Sequence, residues 1–154
     1  MYQIILPLHS LVRWFVLISL LFSTYNAYKG WLTNKAFTKF DNSVRHWTAT
    51  IAYIQLIFGI FLYFISPIVD YFLNNFSEAV KDNEIRFFGM EHGIMMPIGI
   101  VLITIGSLRA KKRETDKQKF KTMAIWFTIA FLIILISIPF PFSSTASRPY
   151  FRPF

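Results

Sequence analysis

Four apolar stretches, at about residues 4–27, 46–65, 87–108 and 122–138, alternate with short polar connections along the chain. Each runs to about 20 residues, the length at which an α-helix crosses a hydrocarbon core of roughly 30 Å. Asp41, Asn42 and Ser43 are helix-start residues ahead of the second stretch, and Ser66-Pro67 stops it. Between the second and third stretches, Ile68, Val69, Phe72, Phe76, Ala79 and Val80 recur at helical spacing. That spacing predicts a short amphipathic helix lying on the membrane surface and not crossing it. The pattern predicts an all-α, integral membrane four-helix bundle over residues 1–142, followed by an extracytoplasmic tail over 143–154 that is rich in Ser, Pro and aromatics.

Composition sharpens this picture. Of 154 residues, 55% are hydrophobic and 19% aromatic, and the mean hydropathy of +0.46 exceeds that of an ordinary water-soluble domain. No cysteine is present, which excludes disulfides, iron–sulfur clusters and covalently attached c-type haem. The first apolar stretch has no basic residue before it and no small-residue cleavage site after it, so it reads as a retained helix.

Charge sets an orientation. Lys29, Lys35, Lys39 and Arg45 outweigh Asp41 in the first connection. Arg109, Lys111, Lys112, Arg113, Lys117, Lys119 and Lys121 outweigh Glu114 and Asp116 in the third. The second is acidic, with Asp70, Glu78, Asp82, Glu84 and Glu91 against Lys81 and Arg86. Excess Lys and Arg stay cytoplasmic. The chain is therefore expected in a bacterial inner membrane as a multi-pass protein with both termini and the acidic connection on the periplasmic side. The formal net charge of +8 then follows from topology and contact with anionic lipids, and nucleic acid is a poor account of it.

That orientation brings two histidines into one leaflet. His9 and His92 each lie about five residues in from the outer end of their spans, so both sit roughly 7 Å deep. His46 starts span two on the other side. His9 and His92 are the histidine pair able to bracket one haem iron as axial ligands. Arg13 follows His9 by one helical turn, on the same face. Its acceptor is to be sought among the Gln55 amide oxygen, Glu91, exposed carbonyls, a haem propionate or a quinone carbonyl. His92, Gly99 and Gly106, spaced seven apart, form a small face that admits either a neighbouring helix or a flat macrocycle. An Arg13–Glu91 ion pair with the two histidines bonded between helices is the purely structural alternative. Neither a nucleophile set, a phosphate loop nor an HExxH motif occurs.

The segments LHSLVRW, IQLIFGIFLYF followed by Ser66-Pro67, EHGIMM and IPFPF resemble a family of small bacterial four-span proteins known as cytochrome b-like. The resemblance covers nearly the whole chain. It implies a polar core of His9, Arg13, Gln55, Glu91 and His92 and a b-type haem. His46 has no partner for a second pair, so the implied number is one haem or none. The expected function is a cytochrome b-like membrane protein that binds one haem b near the outer leaflet and passes electrons to or from a quinone or a partner subunit. The alternative is a non-catalytic accessory or assembly subunit of a larger membrane complex, in contact with lipids and with other subunits or a second copy. In that reading the RPYFRPF tail docks on a partner, while the bland account of the tail is a disordered or headgroup-lying end.

Overall fold

The computed structural model describes residues 1–152 and is all-helical among them. Four helical runs are long and apolar enough to cross a membrane: α1 (Tyr2–Leu32), α2 (Lys39–Ile65), Asn83–Lys111, which ends in α6 (His92–Lys111), and α7 (Asp116–Ile136). The protein is thus a multi-pass membrane four-helix bundle, as the hydropathy pattern requires. Around the bundle the order is α1, α2, α6, α7, with α1 closing on α7. Helices α1 and α6 face each other across the bundle axis. Among neighbours α2 and α6 pack least.

Two of the long helices begin well before their apolar stretches. Helix α2 starts behind Thr38, whose side chain accepts from the Asp41 backbone N–H while the Asp41 carboxylate accepts from the Thr38 backbone N–H. This reciprocal box satisfies two otherwise orphaned donors, and the start lies seven residues before the apolar stretch. At the head of α7, Thr115 accepts from the Gln118 backbone N–H in the same manner. Helix α1 ends where Asn34 takes the left-handed conformation at φ 52° and the Lys35 N–H reaches back to the Gly30 carbonyl.

The expected amphipathic segment is present in two pieces, α3 (Pro67–Asn74) and α4 (Phe76–Ala79), divided at non-helical Asn75. Val69, Phe72 and Ala79 are buried, while Tyr71, Leu73 and Phe76 face outward. A short α5 (Asn83–Arg86) then runs through a π-helical turn, Phe87–Glu91, into α6.

Inside the bundle the core alternates large residues (Leu20, Ile103, Phe120, Phe127) with small ones (Ala27, Ala52, Ala124, Ala130), all essentially inaccessible. Lipid tails are as apolar as leucine, so close packing of small against large residues and interhelical hydrogen bonds must hold the helices together. Gly99 and Gly106 serve this purpose. A Cβ on Gly99 would stand 2.6 Å from Ile134, and one on Gly106 would overlap Trp126, both on α7. At Gly99 and Gly106 the small face of α6 therefore packs against α7.

The bundle end that carries the basic connections is closed by polar groups. Asp41, fully buried, accepts from Asn26 (2.8 Å), Lys35 (2.9 Å) and both the hydroxyl (2.6 Å) and the backbone N–H (2.9 Å) of Thr38. Buried Arg45 donates to the Ser107 hydroxyl and carbonyl and to the Asn42 side chain.

Candidate functional site

At the opposite end the bundle opens into a cavity of about 740 Å³, within the range of small-molecule sites. It runs between α1, the second half of α2, the first half of α6 and the end of α7, on the side where α2 and α6 diverge. Its wall is mostly apolar, and His9, Arg13, Gln55 and His92 all line it. Four of the five polar residues singled out in the sequence thus converge on one space.

The fifth does not. Glu91 pairs with Arg86 at 2.8 Å and stands outside the cavity wall. Neighbouring helical residues point about 100° apart, so Glu91 and His92 face different ways, and a π-helical turn over Phe87–Glu91 leads into His92. The turn is pinned from two sides: Tyr63 of α2 donates to the Gly89 carbonyl at 2.8 Å, and Gly89 leaves the space that Phe72 of α3 fills. π-turns inside helices recur at functional sites. Here the turn hands the chain over to His92.

The imidazoles of His9 and His92 meet across the bundle axis with ring centroids 6.3 Å apart and planes at 70°. His92 Nδ1 lies 2.9 Å from the Ser137 carbonyl at the end of α7. A carbonyl only accepts, so Nδ1 carries a proton, and in the neutral ring Nε2 is the nitrogen that keeps its lone pair. His9 is placed by Gln55, whose Nε2 donates to the His9 carbonyl at 3.0 Å, and by Gly59, where a Cβ would stand 3.3 Å from the His9 ring.

Arg13 finds neither Gln55 nor Glu91. Its Nη2 donates to the Tyr150 carbonyl at 2.7 Å, and Trp14 Nε1 donates to the same oxygen at 3.0 Å. The C-terminal segment is therefore folded back onto α1. Tyr150 and Phe151 pack on the Trp14 ring, Arg148 pairs with Glu84 and lies over Phe88, and Ser147, Arg148, Pro149 and Arg152 join the cavity wall. The free or partner-docked tail expected from sequence is instead a strap over the site. Pro153 and Phe154 of that tail lie outside the described residues.

No protein-family model, curated protein or solved structure matches the chain. The site must then be judged by its own chemistry.

Four buried side-chain polar atoms lack a hydrogen-bond partner among the described residues: His9 Nδ1, Arg13 Nε, Gln55 Oε1 and Ser23 Oγ. Three of the four belong to residues of this cavity wall. Buried polar groups are nearly always paired, with protein, water or ligand. Their concentration here marks the cavity as a place built to receive something polar. Sequence reading missed Ser137, Tyr63, Arg148 and Arg152. The one advance signal was the basic and aromatic character of RPYFRPF, which says nothing about where that segment folds.

Proposed function

We propose that the protein is a cytochrome b-like membrane protein that binds one b-type haem between His9 and His92 and exchanges electrons with a membrane quinone or a partner subunit. The observation that carries this reading is the histidine pair. Two imidazoles that would hold one haem iron between them must face each other at close range. The observed 6.3 Å suits that arrangement. His92 also has the orienting second bond, Nδ1 to a carbonyl, that fixes the tautomer of metal-bound histidines.

When bound, the haem supplies a one-electron iron couple inside the bundle. The chain's own residues do the rest. His9 and His92 would hold the iron from facing helices, Gln55 keeps the His9 turn of α1 in register, and the apolar wall excludes water. Arg13 sits one turn from His9 with its Nε unsatisfied, placed to neutralise an anionic group or polarise a carbonyl oxygen. The basic ends of α1, α2, α6 and α7 support a cytoplasmic position, so the histidine end is assigned to the periplasmic side of a bacterial inner membrane. The contacts of the tail with α1 and its own cavity support this reading over one in which the tail docks on a partner subunit.

The test is a reduced-minus-oxidised visible spectrum with pyridine-haemochrome quantitation on protein purified in mild detergent. One haem b per chain is expected, lost in His9→Ala and in His92→Ala. A colourless protein after haem supplementation, or a full spectrum retained in either variant, refutes the axial pair.

A further inference from the structure

The charges around the cavity are lopsided. Arg13 from α1 and Arg148 and Arg152 from the strap all line it, and no Asp or Glu of the described residues does. The carboxylate that faces them is Glu84, paired with Arg148 and close enough to Arg152 for its charge to be felt. Arg152 in turn is near enough to both Arg13 and Arg148 for their charges to act on one another. Partial burial, and then repulsion from Arg148, lower the Arg152 guanidinium from its ordinary affinity for a proton. Among the described residues three guanidiniums face one carboxylate, an excess of two positive charges in a partly desolvated, apolar-walled space, where like charges repel far more than in water.

We infer that Arg13, Arg148 and Arg152 form the anion-binding end of this cavity, that its occupant is a largely apolar ligand carrying two carboxylates, and that the Ser147–Arg152 strap is part of the binding site. Guanidinium is the side chain best matched to carboxylate, by planarity and paired donors. The Tyr150 carbonyl, taken by both Arg13 and Trp14, fastens the strap that carries the other two arginines. Identifying the ligand as a haem rests on the reading above. The demand for two negative charges does not, since it comes from the arginines alone.

The experiment separates the two. Metal-free protoporphyrin IX has the two carboxylates and no iron for the histidines to ligate, and its dimethyl ester has neither the charges nor the iron. Binding of each to the full chain in neutral-detergent micelles is followed by tryptophan quenching, with micelle partition measured separately. The acid is expected to bind at least about tenfold tighter than the ester, the size of a charge-assisted pair. R152Q should narrow that gap and R148Q/R152Q narrow it further, the loss falling on the acid more than on the ester, with Arg13 left to hold what remains. E84Q, which removes the competing carboxylate, should widen it, whereas a strap that is merely structural would loosen and weaken both ligands. Equal affinities for acid and ester, or parallel loss of both in R148Q/R152Q, overturn the inference. The same preparation given haemin reports on the axial ligands independently. A missing bis-histidine spectrum beside an intact acid preference removes the iron site alone, and a bis-histidine spectrum beside equal porphyrin affinities removes the anion end alone.

Discussion

Replacing Asp41 with Ala should destabilise the bundle by about 3–4 kcal/mol, a sum of three losses of unequal size. The carboxylate is fully buried and receives Asn26, Lys35 and both donors of Thr38. Truncation strands the buried Asn26 amide, at about 1–3 kcal/mol for an unsatisfied donor. It also breaks the capping box at the start of α2, worth about 1 kcal/mol. The Lys35 ammonium, on a side chain 38% exposed, returns to water, so its loss is discounted to under about 1 kcal/mol. Unfolding of the purified protein by titrated anionic detergent in mixed micelles, read by far-UV circular dichroism, gives the difference directly. Lys35→Met is the control and should cost less than about 1 kcal/mol. Asn26 lies about 25 Å along α1 from His9, so D41A should leave porphyrin affinity unchanged under folding conditions. A D41A protein within about 1 kcal/mol of the parent would refute the reasoning, because a carboxylate so easily lost cannot be a desolvated hub of four donors.

Three further outcomes follow from the same geometry. Glu91→Gln breaks only a half-exposed pair with Arg86 and should change stability by under about 1 kcal/mol with no effect on a bound-haem spectrum; an altered spectrum would put Glu91 back in the site. Gly106→Leu drives a side chain into Trp126 and should cost about 1–3 kcal/mol or more in the same unfolding assay, and a neutral result would mean that α6 and α7 are not closely packed there. Because the chain has no cysteine, single cysteines at Glu78 and Lys117 report topology cleanly. The first should react with a membrane-impermeant maleimide on intact spheroplasts and the second only after permeabilisation, and the reverse pattern would invert the assigned orientation.

The four spans were legible because hydrocarbon demands an unbroken apolar run of fixed length, a requirement written residue by residue. The His9–His92 meeting was legible for a related reason: two histidines at equal depth on helices facing each other across one axis have little choice but to meet. Where α2 begins was less so, since Thr38 and Asp41 act together as a box that extends the helix into polar sequence. Glu91 was placed in the polar core by the resemblance, and the acceptor it offers goes instead to Arg86, five residues earlier, just before a π-turn that Tyr63 and Phe72 of other elements contact at Gly89. The glycine face of α6 left two readings open, and only the position of Ile134 and Trp126 on α7 chose between them.

By itself, then, the sequence determined a membrane bundle, its four crossings, the asymmetry of its charges and the depth of its histidines, all of which depend on composition and position within single helices. The tertiary structure decided what each polar group meets. Arg13 finds its acceptor at Tyr150, 137 positions away, and two arginines of the C-terminal strap reach the cavity that α1, α2, α6 and α7 enclose. The physical reason is range. Spanning is a contract between each segment and the bilayer, whereas a half-buried guanidinium bonds to whichever carbonyl oxygen the folded chain brings within about 3 Å of it.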